Sequence, residues 1–260
     1  MTAAVAWIAA TPVKGLRLQH HAEAQLTEDG IPGDRAFFLV DERGAMVSAT
    51  RLGPLVAVEP SHDPDAGTLA LRFPSGETVS GPVALGQAEA VRFYDETLDA
   101  RPLNGAFADA LSEHCGRRLR MFASPASRPG VDRGRDGAAT LLSRASLERL
   151  RKQAGASEPV DARRFRMTVG VDGVAAHEED AWVGREVRVG DALLRVAGHV
   201  GRCALTTRQP DTGVVDFKTL HVLRAYRDSV ESSEPLPFGV HARVVSSGRV
   251  RVGDPVVLAG

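Results

Sequence analysis

Gly33-Asp-Arg-Ala-Phe-Phe-Leu-Val-Asp-Glu-Arg-Gly-Ala-Met-Val-Ser-Ala49 is the stretch whose reading decides the fold class. Ala36 to Val40 is an apolar and aromatic run of strand length. Asp41-Glu-Arg-Gly44 has the residues of a hairpin turn, and Ala45 to Ala49 leads back from it. The same pattern extends outward on both sides. Val5–Ala10, Leu55–Glu59, Thr68–Phe73, Thr78–Ser80 and Ala90–Phe93 read as short strands punctuated by Pro, Gly and Asp. It returns after Pro159 in Met167–Val171, Glu186–Val189, Leu193–Val200, Ala242–Ser246 and Val250–Leu258, the last with Gly253-Asp-Pro255 between two of its strands. Three segments have helical spacing instead. They are Asn104–Gly116, Ser143–Ala154 with a hydroxyl at its start, and Phe217–Val230. The chain therefore reads as mainly β with a few helices. The polar, glycine-rich segment 128–136 reads as a loop, and the division falls into a first domain over 1–120 and a second over 126–260.

Composition narrows the function classes. A formal net charge of −1 exerts no general pull on nucleic acid or membrane, so neither is expected as a partner. No apolar run approaches the roughly 20 residues of a spanning helix. The first residues lack a basic segment and a cleavage site, so a cytoplasmic protein is expected. The two cysteines, Cys115 and Cys203, make no disulfide framework. Nor do they supply the four thiolates of an iron–sulfur cluster, so redox chemistry here would draw electrons from another chain.

The residue with most chemical promise is Cys203, in Gly-Arg-Cys-Ala-Leu-Thr-Thr-Arg-Gln-Pro-Asp-Thr-Gly (201–213). It follows a predicted strand, beside Arg202, where a thiolate is favoured as a soft metal ligand or a nucleophile. Cys115 reads as a small buried residue. Thr11-Pro-Val-Lys-Gly15, with Arg17 behind it, has an ammonium and a backbone N–H that suit a phosphate. Gly33-Asp-Arg35 adds a guanidinium at a strand entry. Asp161-Ala-Arg-Arg-Phe-Arg166, read as a strand, puts Arg164 and Arg166 on one face, able to grip an anion. His177-Glu-Glu-Asp180 lacks a second histidine at helical spacing, which weakens a metal reading. A cysteine hydrolase using His199 or His177 as base has no local signature.

Taken together these segments resemble the MOSC family, in its two-part molybdenum branch typified by the mitochondrial amidoxime-reducing component. The segments that carry the likeness are Thr-Pro-Val-Lys-Gly (11–15), Gly-Asp-Arg-Ala-Phe (33–37) with Met-Val-Ser-Ala (46–49), and Leu-Leu-Ser-Arg-Ala-Ser-Leu (141–147). To these are added Arg-Phe-Arg (164–166), Arg-Cys-Ala-Leu-Thr-Thr with Pro-Asp-Thr-Gly (202–213), and Val-Gly-Asp-Pro-Val (252–256). The resemblance implies an N-terminal MOSC β-barrel domain followed by a MOSC β-barrel domain, with a molybdenum–molybdopterin cofactor between them. It makes Cys203 the molybdenum ligand and the catalytic centre. Lys14, Gly15 and Arg35 would hold the cofactor's phosphate end. Arg166, Thr168, Gly201 and Arg202 would line the pterin, Asp136 and Ser143 would add contacts, and Phe238 and Gly239 would close the pocket. The implied activity is reduction of N-hydroxylated or N-oxide-type substrates, fed by an external ferredoxin- or flavin-type reductase. Two other MOSC chemistries stay open: sulfur transfer through a Cys203 persulfide, and cofactor carriage without turnover. The chain departs from the family pattern at Met167-Thr168, at Gly15, and at Thr50-Arg51, where an Arg-Gln pair is common.

Overall fold

The computed structural model describes residues 2–125 and 134–259. The first half runs β1 (Ala4–Ala10), β2 (Gln19–His21), β3 (Glu23–Leu26), β4 (Phe37–Asp41), β5 (Glu59–Asp63), β6 (Thr68–Arg72), β7 (Thr78–Pro82), β8 (Ala84–Leu85), β9 (Glu89–Phe93), β10 (Glu96–Asn104), α1 (Phe107–Cys115) and β11 (Leu119–Ala123). The second runs β12 (Ala139–Ser143), α2 (Arg144–Ala154), β13 (Val169–Asp172), β14 (Glu186–Val189), β15 (Ala192–His199), α3 (Thr219–Arg227), β16 (Val240–Ser246), β17 (Gly248–Arg251) and β18 (Val256–Leu258). The protein is mainly β, as the alternation of apolar runs and turns predicts.

Local chemistry accounts for the elements that flank the site. Ser143 caps α2 by accepting from the Ser146 N–H, and Gly155 ends the helix in the left-handed conformation. Helix α2 is the crossover between β12 and β13, the parallel pair in an otherwise antiparallel eight-stranded sheet ordered β18-β14-β15-β16-β12-β13-β1-β2. The core under this sheet gathers Val5, Ile8, Leu141, Val169, Val187, Leu194, Val196 and Val240. A second core holds Val13, Leu16, Phe37, Leu39, Leu55, Leu71, Phe107 and Leu111.

Backbone pairing crosses the division read from the sequence. Strand β1 pairs with β13 (Ala4 opposite Asp172, Ile8 opposite Val169), and β3 pairs with β17. The segment from β1 to β3 is therefore built into the strands of the C-terminal half. Mid-strand Gly170 makes the first of these pairings possible, because a methyl group there would lie 2.0 Å from the Trp7 ring. Leaving β1, the chain turns back into the N-terminal part through residues 11–17, where the Lys14 N–H donates to the Phe37 carbonyl (2.8 Å). The Lys14 loop thus lies on the seam between the two halves.

Several elements differ from the sequence expectation. Leu55–Glu59 reads as a strand, but Gly53–Ala57 is a 3₁₀ turn opened by Pro54, and a strand begins only at Glu59. Asp161–Arg166 is not a strand either. Asp161 accepts from the Arg163 N–H and nucleates a 3₁₀ turn over Ala162–Phe165, which Arg166 ends in the left-handed conformation. The closing segment Val250–Leu258, by contrast, is as expected: two strands with Gly253-Asp254-Pro255 between them. Most of the predicted loop 128–136 lies outside the described residues. Its last residues begin a 3₁₀ turn, Gly134–Gly137.

Candidate functional site

Cys203 follows β15 by four residues, after the chain leaves the sheet at His199. Extended backbone at Cys203 starts a 3₁₀ turn, Ala204–Thr207, whose Thr206 N–H and hydroxyl both donate to the Cys203 carbonyl (3.2 and 3.0 Å). The thiol is exposed and unbridged. It faces a cavity of about 610 Å³ whose walls include Lys14, Arg35, Thr50, Arg164, Arg166 and Thr168. That volume is in the range of small-molecule and cofactor sites. The lining comes from both halves of the chain, and basic residues are spread around it. The Thr50 hydroxyl lies 3.6 Å from the Cys203 sulfur.

Each wall has a local cause. Lys14 is 8% exposed, and its ammonium lies over the rings of Phe93 and Tyr94, at 5.7 and 5.3 Å from their centroids. Gly15 takes a φ of +92°, which a side chain would resist, with Ala49 and Leu55 close by. Arg35, Tyr94 and Arg166 also have left-handed backbone, with φ of 52°, 55° and 53°. Such conformations cost roughly 1–3 kcal/mol each and concentrate at functional sites. Three of the five such non-glycine residues among those described line this one cavity. Arg35 is braced by Asp34, whose other carboxylate oxygen accepts from the Thr11 N–H, and it donates to the Arg166 carbonyl (3.3 Å). Thr168 is set by its neighbour Thr140, whose hydroxyl accepts from the Thr168 N–H (2.8 Å).

Below the thiol, Arg202 is 8% exposed. Its guanidinium donates to the carbonyls of Phe238 (2.8 Å from Nε) and Phe165 (3.0 Å) and to the Met167 sulfur (3.0 Å), and it lies over the Phe165 ring. It is a brace, where its place beside the cysteine in sequence suggests a promoter of the thiolate. Further out, Arg208 donates to the carbonyls of Thr50 (2.9 Å) and Gly213 (2.7 Å), tying the 208–213 loop to the N-terminal half.

Residues 2–118 match the MOSC N-terminal beta barrel domain, and residues 128–257 match the MOSC domain. The chain belongs to the MOSC family. Among similar proteins is the mitochondrial amidoxime-reducing component 1 of Mus musculus, 30% identical over the whole of this chain and 82% of its own length. The Homo sapiens protein of the same name is 29% identical over 100% of this chain and 83% of its length. That of Xenopus laevis is 28% identical over 94% and 79%.

Of the residues singled out for this MOSC chain, Lys14, Gly15, Arg35, Arg166, Thr168, Gly201, Arg202 and Cys203 line one cavity. Four others lie elsewhere. Ser143 is buried as the cap of α2. Asp136 is on the surface, where its carbonyl meets His241 Nδ1 (2.8 Å), although the adjacent Gly137 does reach the cavity. Phe238 is fully buried against Phe165, with ring centroids 4.8 Å apart. Gly239 is a backbone contact behind Arg202, where a methyl group would fall 2.8 Å from both the Leu141 carbonyl and Met167. Conversely, Thr50 and Arg51 stand out in sequence only as a departure from the family pattern. Residues 49–51 form a turn, and both Thr50 and Arg51 reach the cavity.

The acidic segment 177–180 is structural. Glu179 is fully buried and accepts from the Ser143 N–H (3.1 Å) and the Ser146 hydroxyl (2.7 Å). Burial raises its carboxyl above the usual range despite those bonds. Asp180 pairs with buried Arg227 (2.7 Å), which also donates to the Pro237 carbonyl (2.9 Å). His177 lies between Phe238 and Tyr226, and burial, assisted by Arg227, pushes it down to about 4. Burial pushes the Tyr226 hydroxyl up to about 12 and the Cys115 thiol up to about 11. No helix among the described residues is long and apolar enough to cross a membrane.

Proposed function

We propose that this MOSC protein is a molybdenum-cofactor-dependent reductase of N-hydroxylated or N-oxide-type compounds. The observation that carries the reading is an exposed thiol facing a cavity whose other walls hold Lys14, Arg35 and Arg166. A soft donor opposite cationic groups fits a metal attached to an anionic organic carrier. The curated relatives that span this chain are named amidoxime-reducing components, which favours N-reduction over other MOSC chemistries.

When bound, the cofactor supplies the two-electron exchange by which an N–O bond is cleaved and its oxygen, with two protons, leaves as water. The chain's own residues hold and tune it. Cys203 Sγ is the protein's ligand. With the sulfur as a thiolate, the Thr50 hydroxyl 3.6 Å away would be the donor of their contact and would restrain the sulfur's donation to the metal. The Lys14 ammonium and the guanidiniums of Arg35 and Arg166 grip the anionic end, and the left-handed Gly15 lets backbone approach it closely. Arg202 positions the floor by holding Phe165 and Phe238. Electrons come from a separate ferredoxin- or flavin-type protein, since two cysteines cannot carry an iron–sulfur relay. The setting in this reading is cytoplasmic.

The test uses protein made in a host that synthesises molybdopterin. Molybdenum should copurify near stoichiometrically, and chemically reduced protein should convert a benzamidoxime to the amidine. A sulfur carrier would need no molybdenum, and a cofactor carrier would bind it without turnover, so either result overturns the proposal. Lys14→Ala should lower molybdenum content at least tenfold while leaving the melting curve intact.

A further inference from the structure

Beside the main cavity, and sharing Arg164, Arg166 and Leu205 with it, is a second, much smaller space of about 20 Å³. Its polar side chains are those of Arg17, Arg163, Arg164, Arg166 and Arg208. All are guanidiniums, which offer donors and no acceptor and keep their charge at any working pH. The Nε–H groups of Arg17 and Arg208 are both buried without a hydrogen-bond partner. A buried donor left unmatched is costly, and two on residues that line one small space call for an acceptor there.

The carboxylates nearby are already engaged. Asp211 takes Arg163 through both oxygens (2.8 Å each) and also pairs with Arg17 (3.3 Å). Asp161 takes Arg163, and Asp216 takes both guanidinium nitrogens of Arg164 (2.7 Å each). Arg163 is the first cause holding the Asp211 carboxyl below its usual range, so this acid stays charged. Arg208 differs: its guanidinium meets the carbonyls of Thr50 and Gly213, which bring no charge. The space exceeds the roughly 10–15 Å³ that one water requires, so a small ion fits it. Its lining side chains offer hydrogen-bond donors and no acceptor, which favours an anion.

We propose that this cavity is a structural anion site for a single chloride-sized ion, bound through Arg17 Nε and Arg208 Nε. The ion lies where the N-terminal half (Arg17, Leu18, Val56) meets the C-terminal half (Leu205, Arg208, Pro210). It neutralises a guanidinium that no carboxylate among the described residues reaches. It also clips the 205–210 segment, which carries the wall next to Cys203, onto the first half of the chain.

Bromide is the probe, because it replaces chloride and scatters anomalously. Crystals grown in sodium bromide should show an anomalous peak within hydrogen-bonding reach of both Nε atoms. In solution, the melting temperature of the full chain should be roughly 2–4 °C higher in sodium bromide than in sodium gluconate at equal ionic strength, gluconate being too large to enter. That increment should vanish in Arg208→Met and in Arg17→Met. Because the readout is the bromide-minus-gluconate difference within each variant, any general loss of stability cancels. A water refined at that position without anomalous signal overturns the assignment, as does an equal increment in parent and both variants.

Discussion

Arg202→Ala removes the brace beneath the thiol, and the structure fixes how much should be lost. The guanidinium bonds two main-chain carbonyls, Phe165 and Phe238, and the Met167 sulfur, from a site 8% exposed. Water cannot reach those carbonyls freely once the side chain is gone, and each buried acceptor so orphaned costs about 1–3 kcal/mol. The stacking over Phe165 is lost as well. A total of about 3–4 kcal/mol follows, which lowers the urea midpoint by about 1 M if the denaturant slope is about 3 kcal/mol/M. Trp7 packs in the same core as Phe165, Met167 and Phe238, so tryptophan fluorescence reports on the affected region. Arg202→Lys should recover less than half of the loss, because one ammonium cannot reach both carbonyls in the plane of a guanidinium. A midpoint for Arg202→Ala within about 0.2 M of the parent, a small fraction of the expected shift, refutes the bracing role. The reason this arginine precedes the cysteine would fall with it.

Gly170→Ala should destabilise by more than about 3 kcal/mol or give insoluble protein, since its methyl group meets the Trp7 ring at 2.0 Å; parent-like melting contradicts the packing of β1 on β13. His177 has a folded pKa depressed from 6.5 to about 4, so its stabilising contribution is complete above 6.5 and is lost as pH falls from there through about 4. His177→Phe should flatten the stability-against-pH curve in that window, and an unchanged slope refutes it. In cofactor-free protein at about pH 8, iodoacetamide should label one thiol quickly and the other slowly, because Cys203 is exposed while burial pushes Cys115 up to about 11. Mass mapping of the fast label to Cys115 contradicts the geometry.

Much of this architecture follows local rules that a sequence displays. Glu186–Val189 and the capped helix after Ser143 are such cases, because an alternating pattern or a hydroxyl followed by apolar spacing acts over a few residues. Strand β11, Leu119–Ala123, is hidden in sequence because Arg117, Arg118 and Arg120 interrupt its apolar pattern; in the fold the Arg120 guanidinium lies over the Phe122 ring. The short turn at Ala162–Phe165 mimics a strand because alternate arginines look the same in both until Asp161 caps the turn. The partnership of β1 with β13 is not legible, since it joins residues roughly 160 positions apart, far beyond the reach of a local pattern. At the site, motif order identifies the thiol and the basic walls. Side-chain direction is beyond it, which is why Ser143 and Phe238 are internal supports and Thr50 a neighbour of the sulfur.

The functional reading rests on a bond between the Cys203 sulfur and molybdenum, and X-ray absorption at the molybdenum edge measures this directly. Parent protein from a molybdopterin-producing host should show one more sulfur scatterer per metal than Cys203→Ala prepared alongside it, with both proteins retaining their fold by circular dichroism. Identical sulfur shells in the two, or folded parent protein free of molybdenum, contradict the account.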